Sequence, residues 1–92
     1  MCGITAILSA GAGEALPGQA RDLLAAMTRA IAHRGPDGEG FVFTRRAALG
    51  HRRLAVLDLV TGDQPMVDAE GRIHVVFNGE IYNHHELRAE LV

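Results

Sequence analysis

Short apolar runs separated by polar, glycine-rich stretches extend along the chain, and several have the length and spacing of β-strands. Gly3 to Leu8 is apolar and β-branched and precedes a glycine-rich stretch, which predicts a buried strand that ends in a loop. Phe41 to Thr44 and Ala48 to Leu54 have the alternation and separation of a β-hairpin. Ile73 to Phe77 predicts a further strand. The Asn78-Gly79 dipeptide after it is the strongest short hairpin signal, with the next three residues as the returning strand.

Two other segments carry apolar residues at helical spacing. The first runs from Pro17 to Ala32, and its recurring apolar positions are Leu23, Leu24, Met27, Ala30 and Ile31. The second runs from His85 to Val92, with Asn83 as an N-cap and Glu86 completing a capping box. Because hairpins and helices interleave, we expect an α+β fold with antiparallel sheets. No helix stop signal follows, so we expect residues 1–92 to be the first part of a longer domain.

The composition is that of an ordinary globular domain and argues against several classes of function. With 92 residues and a formal net charge of −2, the chain has no polybasic run of the kind that binds nucleic acid. It shows no signal-peptide pattern, and no stretch approaches the ~20 apolar residues that span a bilayer. A single cysteine rules out an internal disulfide and fits a reducing compartment. We therefore expect a soluble cytoplasmic protein.

That single cysteine, Cys2, directly follows Met1. An initiator methionine before a small residue is often removed, and Cys2 would then carry its thiol and a free α-amino group on one Cα. The thiol has an ordinary pKa of ~8.5 and the amine one of ~8, so the amine can accept the thiol proton. One residue would then supply both the nucleophile and its base. The simpler alternative is that a lone cysteine acts as a small buried apolar residue.

Other chemistries lack the residue spacing that they require. No pair of histidines has the spacing of a helical zinc motif, and we expect no metal site; the five are His33, His51, His74, His84 and His85. No two carboxylates are spaced for acid–base catalysis. The glycines after the first predicted strand lack the third glycine and the lysine of a phosphate-binding loop.

A nucleophilic cysteine needs hydrogen-bond donors for an oxyanion and a group that holds the substrate. The side-chain amide of Asn78 and the N–H of Gly79 have suitable chemistry for the oxyanion. A type I′ turn explains the same dipeptide equally well. Arg53 has the chemistry to bind a substrate carboxylate through two hydrogen bonds, but it is also explained as a surface arginine on a strand. The local sequence leaves both pairs of alternatives open.

Five motifs occur in a fixed order along the chain: Met1–Ile4, His33–Asp37, Gly50–Ala55, Gly62–Met66 and Phe77–His84. Together they closely resemble the N-terminal glutaminase domain of glutamine-hydrolysing asparagine synthases, which belong to the class II glutamine amidotransferases. The resemblance runs over all 92 residues. It implies a partial αββα four-layer sandwich of the N-terminal nucleophile hydrolases, with residues 1–92 as the first part of the domain.

The resemblance assigns a role to individual residues. Cys2 matches the nucleophile that attacks the side-chain amide of glutamine and forms a γ-glutamyl thioester. Asn78 and Gly79 match the oxyanion-hole pair, and Arg53 matches the arginine that binds the glutamine α-carboxylate. The remaining positions that match contacts to bound glutamine are Val56, Leu57 and Glu80.

The resemblance also implies partners and domains that this sequence does not contain. A Ser-Asp motif, whose aspartate holds the glutamine α-amino group, is absent from residues 1–92. The synthetase domain, which uses ATP and magnesium to turn aspartate into asparagine, is absent too, so we expect no cofactor in this segment. A homodimer is an expectation for the full-length form only. Two alternatives stay open: another class II branch, such as amidophosphoribosyltransferase or glutamate synthase, and a non-catalytic segment that binds a partner.

Overall fold

A computed structural model describes residues 2–11, 13–54 and 63–92. Its main feature is a three-stranded antiparallel sheet in the order β1-β3-β2, where β1 is Gly3–Leu8, β2 is Gly38–Phe43 and β3 is Ala47–Arg53. The central strand β3 pairs with β1 on one side and with β2 on the other. The predicted first strand and the predicted hairpin are therefore confirmed, although β2 begins earlier than its alternation indicated.

One face of this sheet is covered by helix α1, Ala20–Ala30. Its buried residues are Ala20, Leu24 and Thr28, which follow one another at a spacing of four. The Thr28 hydroxyl donates to the carbonyl of Leu24 at 2.8 Å and accepts from the hydroxyl of Thr5 at 2.8 Å. A side chain at Gly50 would overlap both hydroxyls, so a glycine there lets the helix approach the sheet closely.

The helix is shorter and its buried stripe narrower than the sequence indicated. A 3₁₀ turn, Ala32–Arg34, follows it in place of a continued α-helix. Leu23 is 52% exposed and Ala30 is exposed as well, because the helix contacts the sheet only along the line through Leu24. The helix packs mainly against two of the three strands, β1 and β3, and it buries a single line of residues there. The apolar pattern in the sequence was wide enough for a broader contact.

A second, two-stranded antiparallel sheet is formed by β4, Met66–Val67, and β5, His74–Val75. The turn between them is closed by Asp68, whose Oδ1 accepts the main-chain N–H groups of Arg72 at 2.7 Å and Ile73 at 2.9 Å. Gly71 has a φ of +73° in this turn, a conformation that favours glycine. These hydrogen bonds hold the pKa of Asp68 below its ordinary range.

The predicted hairpin at Asn78-Gly79 is wrong. β5 pairs back to β4, and residues 78–81 are not in a strand. Of the predicted strand from Ile73 to Phe77, only His74 and Val75 form a strand. The pairing of β5 with the preceding strand β4 overrides the turn propensity of the Asn-Gly dipeptide, because strand formation depends on its partners as well as on local sequence.

Helix α2, His84–Leu91, confirms the predicted second helix, and Asn83 is its N-cap residue. The Asn83 side chain makes no capping hydrogen bond, so the predicted capping box does not form. All residues of α2 are exposed. The expected α+β organisation with antiparallel sheets is confirmed. Among the described residues, no helix has the length and apolar character that crossing a membrane requires.

Candidate active site

The two faces of the three-stranded sheet differ, because α1 covers only one of them. The cross-strand pair Thr5 and Gly50 faces the helix, since Thr28 contacts both positions. Side chains alternate along strands, so Ile4 and His51, which form the neighbouring pair, point to the opposite side. We call this side the outer face, and the residues described below lie at the end of the sheet where β3 finishes.

Cys2 lies beside the end of β3 and is half-buried. Its Sγ accepts the main-chain N–H of Leu54 at 3.4 Å and lies 3.9 Å from the Leu54 carbonyl oxygen. The Cys2 carbonyl accepts a hydrogen bond from Nε of Arg34 at 3.2 Å. A Cβ on Gly3 would lie 2.6 Å from Ile31 Cδ1, so the chain enters the sheet close to the end of α1. Cys2 is thus held through its side chain by Leu54 and through its main chain by Arg34.

The stretch from Arg34 to Asp37 is laid against the last residues of β3. The Asp37 N–H donates to the Arg53 carbonyl at 2.9 Å, and Arg52 Nε donates to the Gly35 carbonyl at 2.9 Å. A Cβ at Gly35 would lie 2.6 Å from the Arg52 carbonyl oxygen, so this close approach requires glycine. Two of the motifs singled out in the sequence therefore meet at one end of the sheet.

Arg53 is 8% exposed, which is unusual for a charged residue and calls for a partner. Its Nη1 lies 3.2 Å from Oδ1 of Asp63, whose own side chain is 84% exposed. The guanidinium therefore already holds the carboxylate of an exposed side chain. This is the chemistry that a carboxylate-binding arginine needs, and it rules out the alternative of a solvated surface side chain.

The segment before the Asn-Gly dipeptide is fixed by side chains from two other elements. The Gln64 side-chain amide accepts the Phe77 N–H at 2.6 Å and donates to the Phe77 carbonyl at 3.0 Å. Nε2 of His51 lies 3.2 Å from the same carbonyl oxygen. Burial lowers the pKa of His51; the bond to Phe77 opposes this effect and nearby Arg53 adds to it. Because a carbonyl oxygen can only accept, the neutral His51 ring carries its proton on Nε2 and donates it to the Phe77 carbonyl.

Asn78, Gly79 and Glu80 are all exposed. A Cβ on Gly79 would lie 3.0 Å from Cζ of Phe77, so the main chain passes close over that ring. Within the described ranges, no hydrogen bond joins Cys2 to Asn78 or to Gly79. The structure thus gathers Cys2 and Arg53 at the end of β3, and their closeness to the Asn-Gly pair stays a prediction.

Two further predicted site residues, Val56 and Leu57, lie outside the described residues. The described part of the chain contains no group of three or more histidine, cysteine, aspartate or glutamate residues that could hold a metal ion.

The sequence reasoning assigned no role to three residues that the structure places here: Arg34, His51 and Gln64. Each acts on the main chain of a residue 13 to 32 positions away. No local periodicity encodes such a contact. The only sequence signal was that all three lie within the ordered motifs.

The comparison with known families defines the class of this protein. The chain belongs to the family described as the glutamine amidotransferase domain, whose sequence model matches residues 1–92. The particular relatives are glutamine-hydrolysing asparagine synthetases, and the chain corresponds to their N-terminal part. It is 45% identical over 92 residues to the enzyme of Triphysaria versicolor, covering 99% of this chain and 15% of the relative.

Other relatives carry the same name. Identity is 42% over 91 residues with the Zea mays asparagine synthetase, which covers 99% of this chain and 15% of that protein. It is 41% over 91 residues with asparagine synthetase 2 of Bacillus subtilis strain 168, again 99% of this chain but 12% of the relative. The chain thus spans about 15% of the length of the curated relatives that it matches.

Proposed function

We propose that this domain hydrolyses the side-chain amide of glutamine and supplies the ammonia for amide synthesis. The observation that carries the proposal is the half-buried Cys2, whose Sγ accepts the main-chain N–H of Leu54. Leu54 directly follows Arg53, which is buried and binds the carboxylate of Asp63. Membership of the glutamine amidotransferase family supports glutamine as the substrate.

The proposed chemistry starts after removal of Met1, when Cys2 has a free α-amino group. The neutral amine takes the thiol proton, and the thiolate attacks the carbonyl carbon of the glutamine amide. When the tetrahedral intermediate collapses, its C–N bond breaks and the protonated α-amino group of Cys2 gives its proton to the departing nitrogen. Ammonia leaves, and a γ-glutamyl thioester remains on Cys2. Water, activated by the same amine, then hydrolyses the γ-glutamyl thioester to glutamate and restores the thiol.

The negative oxygen of the intermediate is stabilised by the Asn78 side-chain amide and the Gly79 N–H. Their exposure and the absence of a hairpin turn support this role, because neither donor is used in a strand ladder. Arg53 binds the α-carboxylate of glutamine. The other proposed substrate contacts are Val56, Leu57 and Glu80.

The nitrogen acceptor that the relatives' names favour is the precursor of asparagine. We propose that aspartate is amidated in an ATP- and magnesium-dependent step at residues outside this sequence, and that the α1-covered sheet is one half of an αββα sandwich. Sequence flanking Val92 tests this branch, since amidophosphoribosyltransferase or glutamate synthase would carry a different acceptor domain. A cytoplasmic location and a homodimer stay predictions.

Two variants of the natural protein that carries this sequence test the glutaminase reaction. Cys2→Ala should abolish glutamine hydrolysis and leave ammonia-dependent synthesis intact, and Asn78→Ala should lower turnover by about 10²–10³-fold. A form that retains Met1, verified by mass spectrometry of the N-terminus, should be inactive, because an amide nitrogen on Cys2 is not a base. Normal hydrolysis by the Met1-retaining form would overturn the mechanism. Lack of a glutamine-derived thioester on a free Cys2 would favour a partner-binding module.

A further inference from the structure

We propose that Gln64 is a positioning residue that sets the placement of Asn78 and Gly79 by holding the main chain of Phe77. The inference rests on the proposed function, since it concerns the oxyanion donors of that reaction. The Gln64 side chain pairs with both main-chain groups of Phe77, accepting its N–H at 2.6 Å and donating to its carbonyl at 3.0 Å. This double pairing fixes the orientation of the amide, because only the oxygen can face an N–H and only the nitrogen a carbonyl.

A second donor strengthens the same attachment. His51 lies in the central strand β3, is 1% exposed, and its Nε2 reaches the Phe77 carbonyl at 3.2 Å. Because β3 is paired on both sides, His51 has little freedom to follow a moving partner. The Phe77 carbonyl is therefore tied to the sheet directly through His51 and indirectly through Gln64.

Gln64 is itself fixed to the sheet. Its main chain lies on Gly40 of β2, where an added Cβ would overlap the Gln64 carbonyl oxygen and lie 3.1 Å from Cδ of Pro65. The residue before it, Asp63, pairs with Arg53 of β3 at 3.2 Å. The side chain that holds Phe77 thus extends from a main chain that is packed on β2 and linked to β3.

The Asn-Gly pair follows Phe77 with no residue between. The Phe77 ring also lies beneath Gly79, at the distance that would crowd an added Cβ. Displacement of the Phe77 main chain therefore displaces Asn78 and Gly79 with it. A shift of about 1 Å in a group that positions the reaction can cost about 10²-fold in rate.

The sharpest variant is Gln64→Glu, which keeps the size of the side chain and an acceptor for the Phe77 N–H. The carboxylate has no donor for the Phe77 carbonyl and sets two oxygen atoms against each other. In the natural protein that carries this sequence, we expect kcat for glutamine hydrolysis to fall by about 10–100-fold. KM should stay within about twofold, because Arg53 and its substrate contact are untouched. Gln19→Glu is the matched control, since Gln19 is exposed and its side chain makes no capping bond.

A double-mutant cycle separates positioning from general destabilisation. Because Gln64 is proposed to place both donors, Gln64→Glu should cost clearly less in kcat when Asn78 is already alanine than in the wild-type protein, and the loss that remains should come from Gly79. Alkylation of Cys2 by iodoacetamide needs no oxyanion donor and should keep its rate in Gln64→Glu. Hydrogen exchange at the Phe77 amide, read by NMR or mass spectrometry, reports the pairing directly.

The inference is overturned if Gln64→Glu leaves kcat unchanged, if the loss appears in KM alone, or if the full loss persists in the Asn78→Ala background. These outcomes differ from failure of the proposed function. If Cys2→Ala or Asn78→Ala hydrolyses glutamine normally, the proposed function fails and this inference with it. If both are impaired as expected and Gln64→Glu is normal, only the positioning role fails.

Discussion

A single methyl group at Gly40 should disturb the candidate site without touching any residue proposed to contact substrate. Gly40 lies in β2 opposite His51, on the outer face where the Gln64 main chain crosses the sheet. In Gly40→Ala the new Cβ would overlap the Gln64 carbonyl oxygen and lie 3.0 Å from its carbonyl carbon. Carbon atoms pack at ~3.5–4.0 Å, so residues 63–65 must move outward by on the order of 1 Å.

The energetic cost follows from that displacement. Overpacking of a well-packed contact typically costs about 1–3 kcal/mol, and the lower chain entropy of alanine returns about 0.4–1 kcal/mol. The backbone of Gly40 has no positive φ, so strain from the backbone conformation does not contribute. The hydrogen bonds of 2.6 and 3.0 Å to Phe77 would lengthen past the usual range, and the Asn-Gly pair would shift with them. We expect kcat for glutamine hydrolysis to fall by about 10–100-fold.

Three measurements check this prediction: kcat and KM for glutamine, hydrogen-exchange protection of the Phe77 amide, and the unfolding midpoint. Gly18→Ala is the matched control, because a Cβ there meets no atom within 4 Å. It gains the same unfolded-state term and should be neutral or slightly stabilising. A Gly40→Ala protein with wild-type kcat and full protection at Phe77 would refute the reasoning that this crossing point positions the site.

Two further predictions concern stability. Thr28→Val removes a buried hydroxyl and leaves that of Thr5, which is 8% exposed, without its partner. Chemical denaturation should show a free energy of unfolding lower by about 1–3 kcal/mol. The double variant with Thr5→Val should lose less than the sum of the two single losses, because no hydroxyl is then left unpaired. Burial lowers the pKa of His51 below 6.5, so the unfolded chain binds this proton at a higher pH than the folded one. Stability should therefore fall as the pH drops from about 7 towards the folded pKa and this contribution should then level off. His51→Gln should flatten that part of the midpoint-against-pH curve, and an unchanged curve would contradict the assignment.

The elements that could be predicted from the sequence are those whose determinants are local. β1, the β2–β3 hairpin and both helices follow from alternation or helical spacing within 6 to 11 residues. The hairpin at Asn78-Gly79 failed because the segment before β5 offers it a competing partner. β5 finds its partner in β4 through a turn built by the Asp68 carboxylate, and Gln64 engages Phe77 where the predicted strand would have continued.

The residues of the candidate site also differ in whether the sequence could indicate them. Cys2 could be singled out by chemistry, because the only cysteine lies directly after the first methionine. Local chemistry left Arg53 open, and only the resemblance carried by the ordered motifs singled it out. Gln64 could not be singled out, since an amide side chain in a glycine- and proline-containing stretch reads as an ordinary loop residue. Its role depends on a main chain 13 residues away, and only the folded chain brings the two together.

Three parts of the candidate site are attached to the central strand β3 or to the residue that follows it. Leu54, directly after it, holds the Cys2 sulfur; Arg53 supplies the cation; and His51 holds the Phe77 main chain. In the proposed reaction the nucleophile Cys2 and the oxyanion donors must keep a fixed separation, and contact with one strand is a simple way for two segments about 75 residues apart to do so. A change that shifts β3 should therefore impair nucleophile and donors together, whereas a change at Gln64 should reach only the donors.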